Sequence, residues 1–408
     1  MKIIQVHNYY KQAGGEDTVV KAELELLRAN GEEVVTYYKH NDNISSIFSQ
    51  IATCVKTLWN QHTYKEFRKV IQQEKPDIVH CHNTFPLISP AIYWACSKEG
   101  VPVVQTLHNY RLLCLNSSLF RKDKADKSKI CELCINSKFK LLGIKYRCYR
   151  NSKAGSAVLS AMILLHIALQ TWQNKITKYI FLTEFQREKF SRAFQNQNID
   201  IMKKSTVKPN FVSDSDISLG KSAKNHILFV GRLSVEKGCN IALHGFREYL
   251  DKSNDKELKF KIIGDGPEKS NLEKLVKNLK LEDRVEFTGK VSKRDVLNHM
   301  AQAQCLIFSS ISYETFGLTI IEAFQQRCPV VAANIGSIHS IIDENVNGLI
   351  YDAYNPSDMA DKLNSLVTNK TKRENIVSKA AQDVKDEYTE KANYNQLIQI
   401  YMDAIKIQ

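Results

Sequence analysis

Short apolar runs bounded by turn or polar residues alternate along this chain with segments of helical period. In the first half, KIIQV, VVTYY, DIVHC, VPVVQTL and KYIFLT read as strands, and Thr18 to Asn30 reads as an amphipathic helix between the first two. In the second half, HILFVG, FKIIG, RVEFTG, CLIFSS and PVVAA read as strands, with helices beginning near Asn240, Lys269, Lys293 and Leu318. Continuous apolar strands separated by helices predict parallel sheets covered on both faces. The series occurs twice. Its weakest join, Lys208 to Ser222 (KPNFVSDSDISLGKS), reads as an interdomain linker. The expected organisation is α/β, with two Rossmann-like domains spanning 1–210 and 211–388. The segment 389–408, with a helix from Thr389 to Ile405, is placed to pack back on the first domain. Ligands of such sheets sit at the carboxyl ends of the strands, so the expected site is a cleft where two such domains face each other.

Composition narrows this picture only slightly. The chain has 408 residues, 43% hydrophobic and 25% charged, an ordinary globular mix with length for two or three domains. Its first residues, MKIIQVHNYY, show no apolar stretch behind a basic one, so no secretory leader is expected. The most apolar run, Ala157 to Trp172, carries Ser160, His166 and Gln170 and is too short and polar to predict a membrane span. A cytoplasmic chain, soluble or peripheral at the inner face of the membrane, is expected. Its ten Cys are then thiols or metal ligands.

Charge changes the picture more. Residues 1–210 hold 31 Lys and Arg against 17 Asp and Glu, whereas 211–408 hold 26 against 27. Arg111 to Lys153 alone holds 12 basic and 3 acidic residues. A basic face suits a polyanionic partner, and an anionic membrane surface bound through the first domain is the expected one. A solvated surface is the plainer reading. A nucleic-acid-binding module is the rival, but no recognition motif of that kind accompanies the charge, so no nucleic acid is expected.

Several constellations carry candidate chemistry. After the first strand, Gly14-Gly15-Glu16 precede a helix, where glycines permit close ligand approach and the helix start offers free N–H groups; a tight turn explains the same residues. After HILFVG, Arg232 and Lys237 flank a short loop and suit a diphosphate, as would any solvated pair of cations. Gly264 and Gly266 repeat the strand-to-loop arrangement before Pro267, either against a nucleobase or as a sharp turn. In CLIFSSISYETFGLTIIEAF, Glu314 precedes a helix opened by Phe316-Gly317-Leu318, and Glu322 lies four residues after Leu318 on the same face. Carboxylates there suit vicinal hydroxyls such as those of a ribose. Separately, Cys114, Cys131, Cys134 and Cys148 are spaced as C-x16-C-x2-C-x13-C. Either structural zinc or a reduced thiol cluster fits that spacing.

With these residues in view, the chain resembles the family 4 glycosyltransferases of the GT-B fold. The second half matches the family pattern in GRLSVEK, GDGP and ETFGLTIIE, while the Gly14-Gly15 loop and His108 in LHNYRLLC fit the acceptor side. The resemblance implies a retaining hexosyltransferase-type enzyme with no catalytic metal. It would move a sugar from a nucleotide-diphosphate sugar to a glycan or lipid-linked acceptor in cell-surface polysaccharide synthesis. It implies that Arg232 and Lys237 hold the diphosphate, that Glu314 bonds the donor sugar and that Glu322 bonds the ribose. Phe316, Gly317 and Leu318 would present backbone N–H groups, with Gly266 beside the nucleotide. Gly15 would lie against the diphosphate when the cleft closes, and His108 would contact the transferred sugar. A nucleotide-sugar epimerase of the same fold is the rival enzyme.

Overall fold

A computed structural model describes residues 1–10, 14–40, 56–121, 129–216, 226–253 and 255–407. In chain order the elements begin with β1 (Lys2–Tyr9), α1 (Gly15–Ala29), β2 (Glu33–His40), α2 (Gln61–Glu74), β3 (Ile78–Asn83), α3 (Ala91–Glu99) and β4 (Val103–Thr106). There follow β5 (Phe120–Arg121), β6 (Lys129–Ile130), α4 (Leu141–Lys145), α5 (Lys153–Ala168), α6 (Thr171–Asn174), β7 (Lys178–Phe181), α7 (Glu184–Gln195) and β8 (Ser205–Val207). The second half adds β9 (His226–Val230), α8 (Cys239–Ser253), β10 (Lys259–Ile263), α9 (Lys269–Asn278), β11 (Val285–Gly289), α10 (Lys293–Ala301) and β12 (Ala303–Phe308). It closes with α11 (Leu318–Gln325), β13 (Val330–Ala333), β14 (Leu349–Tyr351), α12 (Pro356–Thr368), α13 (Lys370–Glu387) and α14 (Glu390–Lys406).

The chain divides into two compact units. One comprises Met1–Leu119, Cys131–Asn210 and Asn393–Gln408; the other comprises Phe120–Ile130 and Phe211–Ala392. The first unit contains a six-stranded sheet in the order β2-β1-β3-β4-β7-β8, parallel throughout. Such strands are buried on both faces, which is why β3 and β4 are apolar or fully buried along their whole length. Order reverses between β1 and β3, so the loops after these two strands diverge and leave a crevice at their carboxyl ends. The second unit repeats the plan with β11-β10-β9-β12-β13-β14, again parallel, and reverses between β9 and β12.

Three departures from the sequence reading have physical causes. The basic stretch does not stay with the first unit. Phe120, Arg121, Lys129 and Ile130 group with the second. Phe120 is the reason: it is buried in the second unit's core with Phe229, Leu233 and Ile262. Lys208 does not open a solvated linker, because its side chain is buried in the first unit; residues 217–222 of that join lie outside the described residues, as do Lys122, Lys124, Lys127 and Cys54. Strands β8 and β14, three residues each, were too short to show a period. Among the described residues no helix is long and apolar enough to cross a membrane.

The C-terminal helix α14 completes the first unit. Leu397, Ile400, Tyr401 and Ala404 pack with Ile3, Leu27, Val34, Ile78, Val104 and Ile180. Their spacing puts all four on one face, and covering the sheet removes apolar surface from water. Leu397 is fully buried there. Leu397→Ala is expected to cost about 2–5 kcal/mol of stability, measured by urea denaturation.

Candidate active site

In the second unit the loops after β9, β10 and β12 are built on one another. The loop after β9 carries Arg232 and Lys237, and the loop after β10 carries Gly264 and Gly266. The two join through backbone bonds from Leu233 N–H to the Asp265 carbonyl (3.0 Å) and from Glu268 N–H to the Leu233 carbonyl (2.9 Å). A Cβ on Gly264 would sit 1.8 Å from the Gly231 carbonyl oxygen, and one on Gly266 would sit 2.3 Å from that of Leu233. These glycines are therefore required by loop-on-loop contact; of the two readings, the sharp packed turn is the one the geometry supplies. Gly238 does the same against the loop after β12. It adopts φ +63°, and a Cβ there would meet the Ser309 carbonyl oxygen at 2.0 Å.

That contact brings Lys237 and Glu314 together. Lys237 Nζ lies 2.6 Å from Glu314 Oε1, and Ser310 Oγ donates to the same oxygen at 2.6 Å. The half-buried pair stands at the carboxyl ends of β9 and β12, where strand order reverses. Ser309 Oγ donates to the Lys237 carbonyl at 3.0 Å, and Ser337 Oγ donates to the Glu314 carbonyl at 2.8 Å. Ser309, Ser310 and Ser337 thus fix the loop; isolated serines carry no spacing signal, and sequence reasoning passed them over. Gly317 is the N-cap of α11 and supplies no capping side chain; the Ile320 N–H donates to the Gly317 carbonyl at 2.8 Å, which leaves those of Leu318 and Thr319 to face an acceptor. Phe316 is buried against Tyr388, a structural position for its ring. Arg232 is exposed, with no ion pair among the described residues. Glu322 on α11 is shielded from water, and burial pushes its carboxyl up to about 7; Lys293 opposes this and Asp216 adds to it.

In the first unit Gly14 caps α1, and Gly15 is its first residue. Among the described residues no atom lies within 4 Å of a Cβ built on either, so their packing does not demand glycine there. Asp17 pins this turn: its Oδ2 accepts from Gly14 N–H at 2.9 Å while its Oδ1 meets His7 Nε2 at 2.8 Å. Glu16 lies beside Tyr10 and Asn109, whose side chains reach its Oε2 at 3.3 and 3.2 Å, and burial raises its carboxyl to about 6. His108 follows β4 and lines a pocket with His82, Phe85, Tyr93, Asn109 and Arg111. Its Nε2 meets His82 Nδ1 at 2.9 Å. Desolvation holds both imidazoles well below the usual range, that of His82 to about 3, so both are neutral at pH 7.

Behind His82 sits a buried charge that sequence reasoning missed. Glu23 Oε1 on α1 lies 3.0 Å from His80 Nδ1 and 3.2 Å from His82 Nε2, and its Oε2 lies 3.5 Å from Lys208 Nζ. Lys208 also donates to Asn393 Oδ1 at 3.0 Å, and Tyr401 Oη meets His80 Nδ1 at 2.7 Å. Burial alone would raise the Glu23 carboxyl, but the two imidazoles and the ammonium hold it well below the usual carboxylate range. Glu23, His80 and His82 have metal-ligand chemistry and lie within 4.8 Å of one another. Lys208 already balances the carboxylate, so a divalent ion would leave excess positive charge among buried side chains.

Cys114, Cys131, Cys134 and Cys148 all fall in the first unit as free thiols. Among the described residues no three of their sulfurs come within 4.8 Å of one another. The buried Lys140 ammonium donates to the Cys134 carbonyl at 2.7 Å and ties this turn. Cys81, Cys96, Cys239, Cys305 and Cys328 are buried core thiols.

Comparison with known proteins follows the same division. Residues 213–383 match the family model of glycosyl transferases group 1, and residues 13–131 match that of glycosyltransferase family 4. The chain is similar to an uncharacterised glycosyltransferase of Methanocaldococcus jannaschii, 24% identical over 92% of this chain and 91% of that one. It is also similar to the alpha-D-kanosaminyltransferase of Streptomyces kanamyceticus, 29% identical over 43% of this chain, a match spanning only 45% of that relative's length. Among solved structures, Anabaena HepE in complex with UDP and glucose superimposes with a TM-score of 0.65 at 18% identity, covering 99% of this chain and 100% of that one. That likeness establishes a shared GT-B fold.

The buried network makes a prediction of its own. Lys208→Met removes the ammonium that faces Glu23 and strands a buried carboxylate. A loss of about 3–5 kcal/mol is expected in chemical denaturation. Pairing it with Glu23→Gln in the same chain should recover part of that loss, because the unpaired charge is then gone.

Proposed function

The chain belongs to the family 4 glycosyltransferases of the GT-B fold, and on that premise we propose that it transfers a sugar from a nucleotide-diphosphate sugar to a glycan or lipid-linked acceptor, with retention and without a catalytic metal, in the synthesis of a cell-surface polysaccharide. The observation that carries this reading is the Lys237–Glu314 pair, 2.6 Å apart beside the uncapped start of α11. A cation, a carboxylate and free N–H groups at one strand-order reversal match the parts of a sugar diphosphate.

In this reading Lys237 and Arg232 meet the diphosphate and stabilise the charge that grows on it as the sugar–phosphate bond breaks. The N–H groups of Leu318 and Thr319, at the positive end of α11, meet phosphate or sugar oxygens. Glu314, held by Ser310, accepts from hydroxyls of the donor sugar. Glu322 in its ionised form accepts from the ribose hydroxyls. His108, neutral at pH 7, bonds hydroxyls on the acceptor side in the first unit, and the leaving phosphate takes the acceptor's proton.

The test is transfer measured with UDP-, GDP- and ADP-sugars, after a thermal-shift screen has picked the donor that raises stability. Glu314→Ala and Lys237→Ala, shown folded by circular dichroism, should each lower the rate by about 100-fold or more. Rates near wild type in both variants would remove the assignment. Nucleotide affinity should also depend on pH. Because the Glu322 carboxyl is raised to about 7, it is protonated on the acid side and ionised on the alkaline side. Affinity should therefore rise as pH is raised through 7, and titration calorimetry on Glu322→Gln should show a weaker, flatter profile.

A further inference from the structure

One surface of the first unit is out of keeping with the rest. Leu133, Phe139 and Leu141 are 52%, 58% and 65% exposed, and Leu142 and Tyr146 are also exposed, all within a short length of chain around α4. The segment carrying them is not loose. Ile135 and Lys140 are buried, and a Cβ on Gly143 would meet Leu115 Cδ1 at 2.8 Å, so α4 is held against the body of the unit with its leucines turned out. Helix α5 packs next to α4. Its buried face includes Leu159, Ile163 and His166. Its other face is also apolar: Ala157, Val158, Ala161, Leu164, Leu165 and Ala168 recur at helical spacing and are partly or fully exposed, and Leu169 beyond them is exposed as well. A water-facing helix ordinarily carries polar residues on that stripe.

The charges around this surface identify what covers it. Lys145, Arg147, Arg150 and Lys153 are exposed beside the apolar residues. From residue 131 to 170 there are six basic residues and one acidic one, Glu132, whose carboxylate is paired with Lys189 at 2.7 Å. Apolar side chains for an acyl boundary, aromatic rings at their edge and exposed cations around them form the chemistry of an interfacial anchor on anionic lipid. We propose that the α4–α5 surface, from Leu133 to Leu169, docks the protein on an anionic bilayer, with Phe139, Leu141 and Leu142 entering the interface and Lys145 and Arg147 meeting the headgroups. This assignment is independent of the transferase reading, because docking needs neither donor nor acceptor.

Sedimentation of the full chain with phosphatidylcholine vesicles, with and without phosphatidylglycerol, tests it. Binding is expected to the anionic vesicles alone, and to weaken with salt. The triple variant Phe139→Ser, Leu141→Ser, Leu142→Ser leaves the charge unchanged and should lower the vesicle partition coefficient by about tenfold or more; Lys145→Glu with Arg147→Glu should do the same. Both variants change exposed positions, and an unchanged melting curve and donor-induced thermal shift would show the fold and the nucleotide site intact. Vesicle binding unaffected by the serine triple would overturn the proposal, leaving only general charge attraction. Absence of vesicle binding, with light scattering showing an oligomer that the same triple dissociates, would overturn it in favour of a second copy of this chain.

Discussion

The first unit is organised around a carboxylate that water does not reach. Glu23 is 1% exposed, and it stays charged because three groups from distant parts of the chain surround it. His80 and His82 come from β3, and Lys208 follows β8. Asn393 and Tyr401 of the C-terminal segment bind Lys208 and His80 in turn. One buried charge therefore ties α1, the middle of the sheet, its last strand and its covering helix. It also lies directly behind the imidazole that contacts His108. A buried ion pair contributes little over an apolar substitute but costs much when half of it is removed. Its weight here is thus in specifying one arrangement of these elements, including the placement of His108.

The second unit solves a different problem, the close approach of three loops at the carboxyl ends of parallel strands. It does so by removing side chains: Gly238, Gly264 and Gly266 each leave room for a neighbouring carbonyl. Loops held through backbone leave their side chains available for chemistry. Lys237 and Glu314, 77 residues apart, then meet as a pair. Uncharged hydroxyls from Ser309, Ser310 and Ser337 hold that loop without competing for charge. The start of α11 follows the same constraint: Gly317 carries no capping side chain, and a Cβ there would crowd Ile320 Cδ1 at 3.0 Å and Ile341 Cδ1 at 3.3 Å.

The alternation of apolar runs and helical segments determined that the chain forms two parallel-sheet units, because strands buried on both faces must be apolar along their length. The order of GRLSVEK, GDGP and ETFGLTIIE determined the family, and placed Arg232, Lys237 and Glu314 on loops after strands and Glu322 on the helix that follows. Those positions were legible because they depend on local spacing. Contacts between loops were not. That Lys237 pairs with Glu314, that Gly264 and Gly266 serve packing, and that Phe120 packs in the second unit follow from distances in space between segments far apart in sequence. Glu23 was least legible of all. On an amphipathic helix a glutamate reads as a solvent-facing residue, and only the arrival of His80, His82 and Lys208 from other strands makes its burial tolerable. The four cysteines show a limit of spacing: it left a structural zinc and a reduced thiol cluster both open, and the turn around them, with Lys140 buried and Gly143 against Leu115, is set by contacts that spacing does not carry. Spacing fixes which residues share a strand end or a helix face, whereas desolvation and the partner groups that offset it are set by what the fold brings alongside.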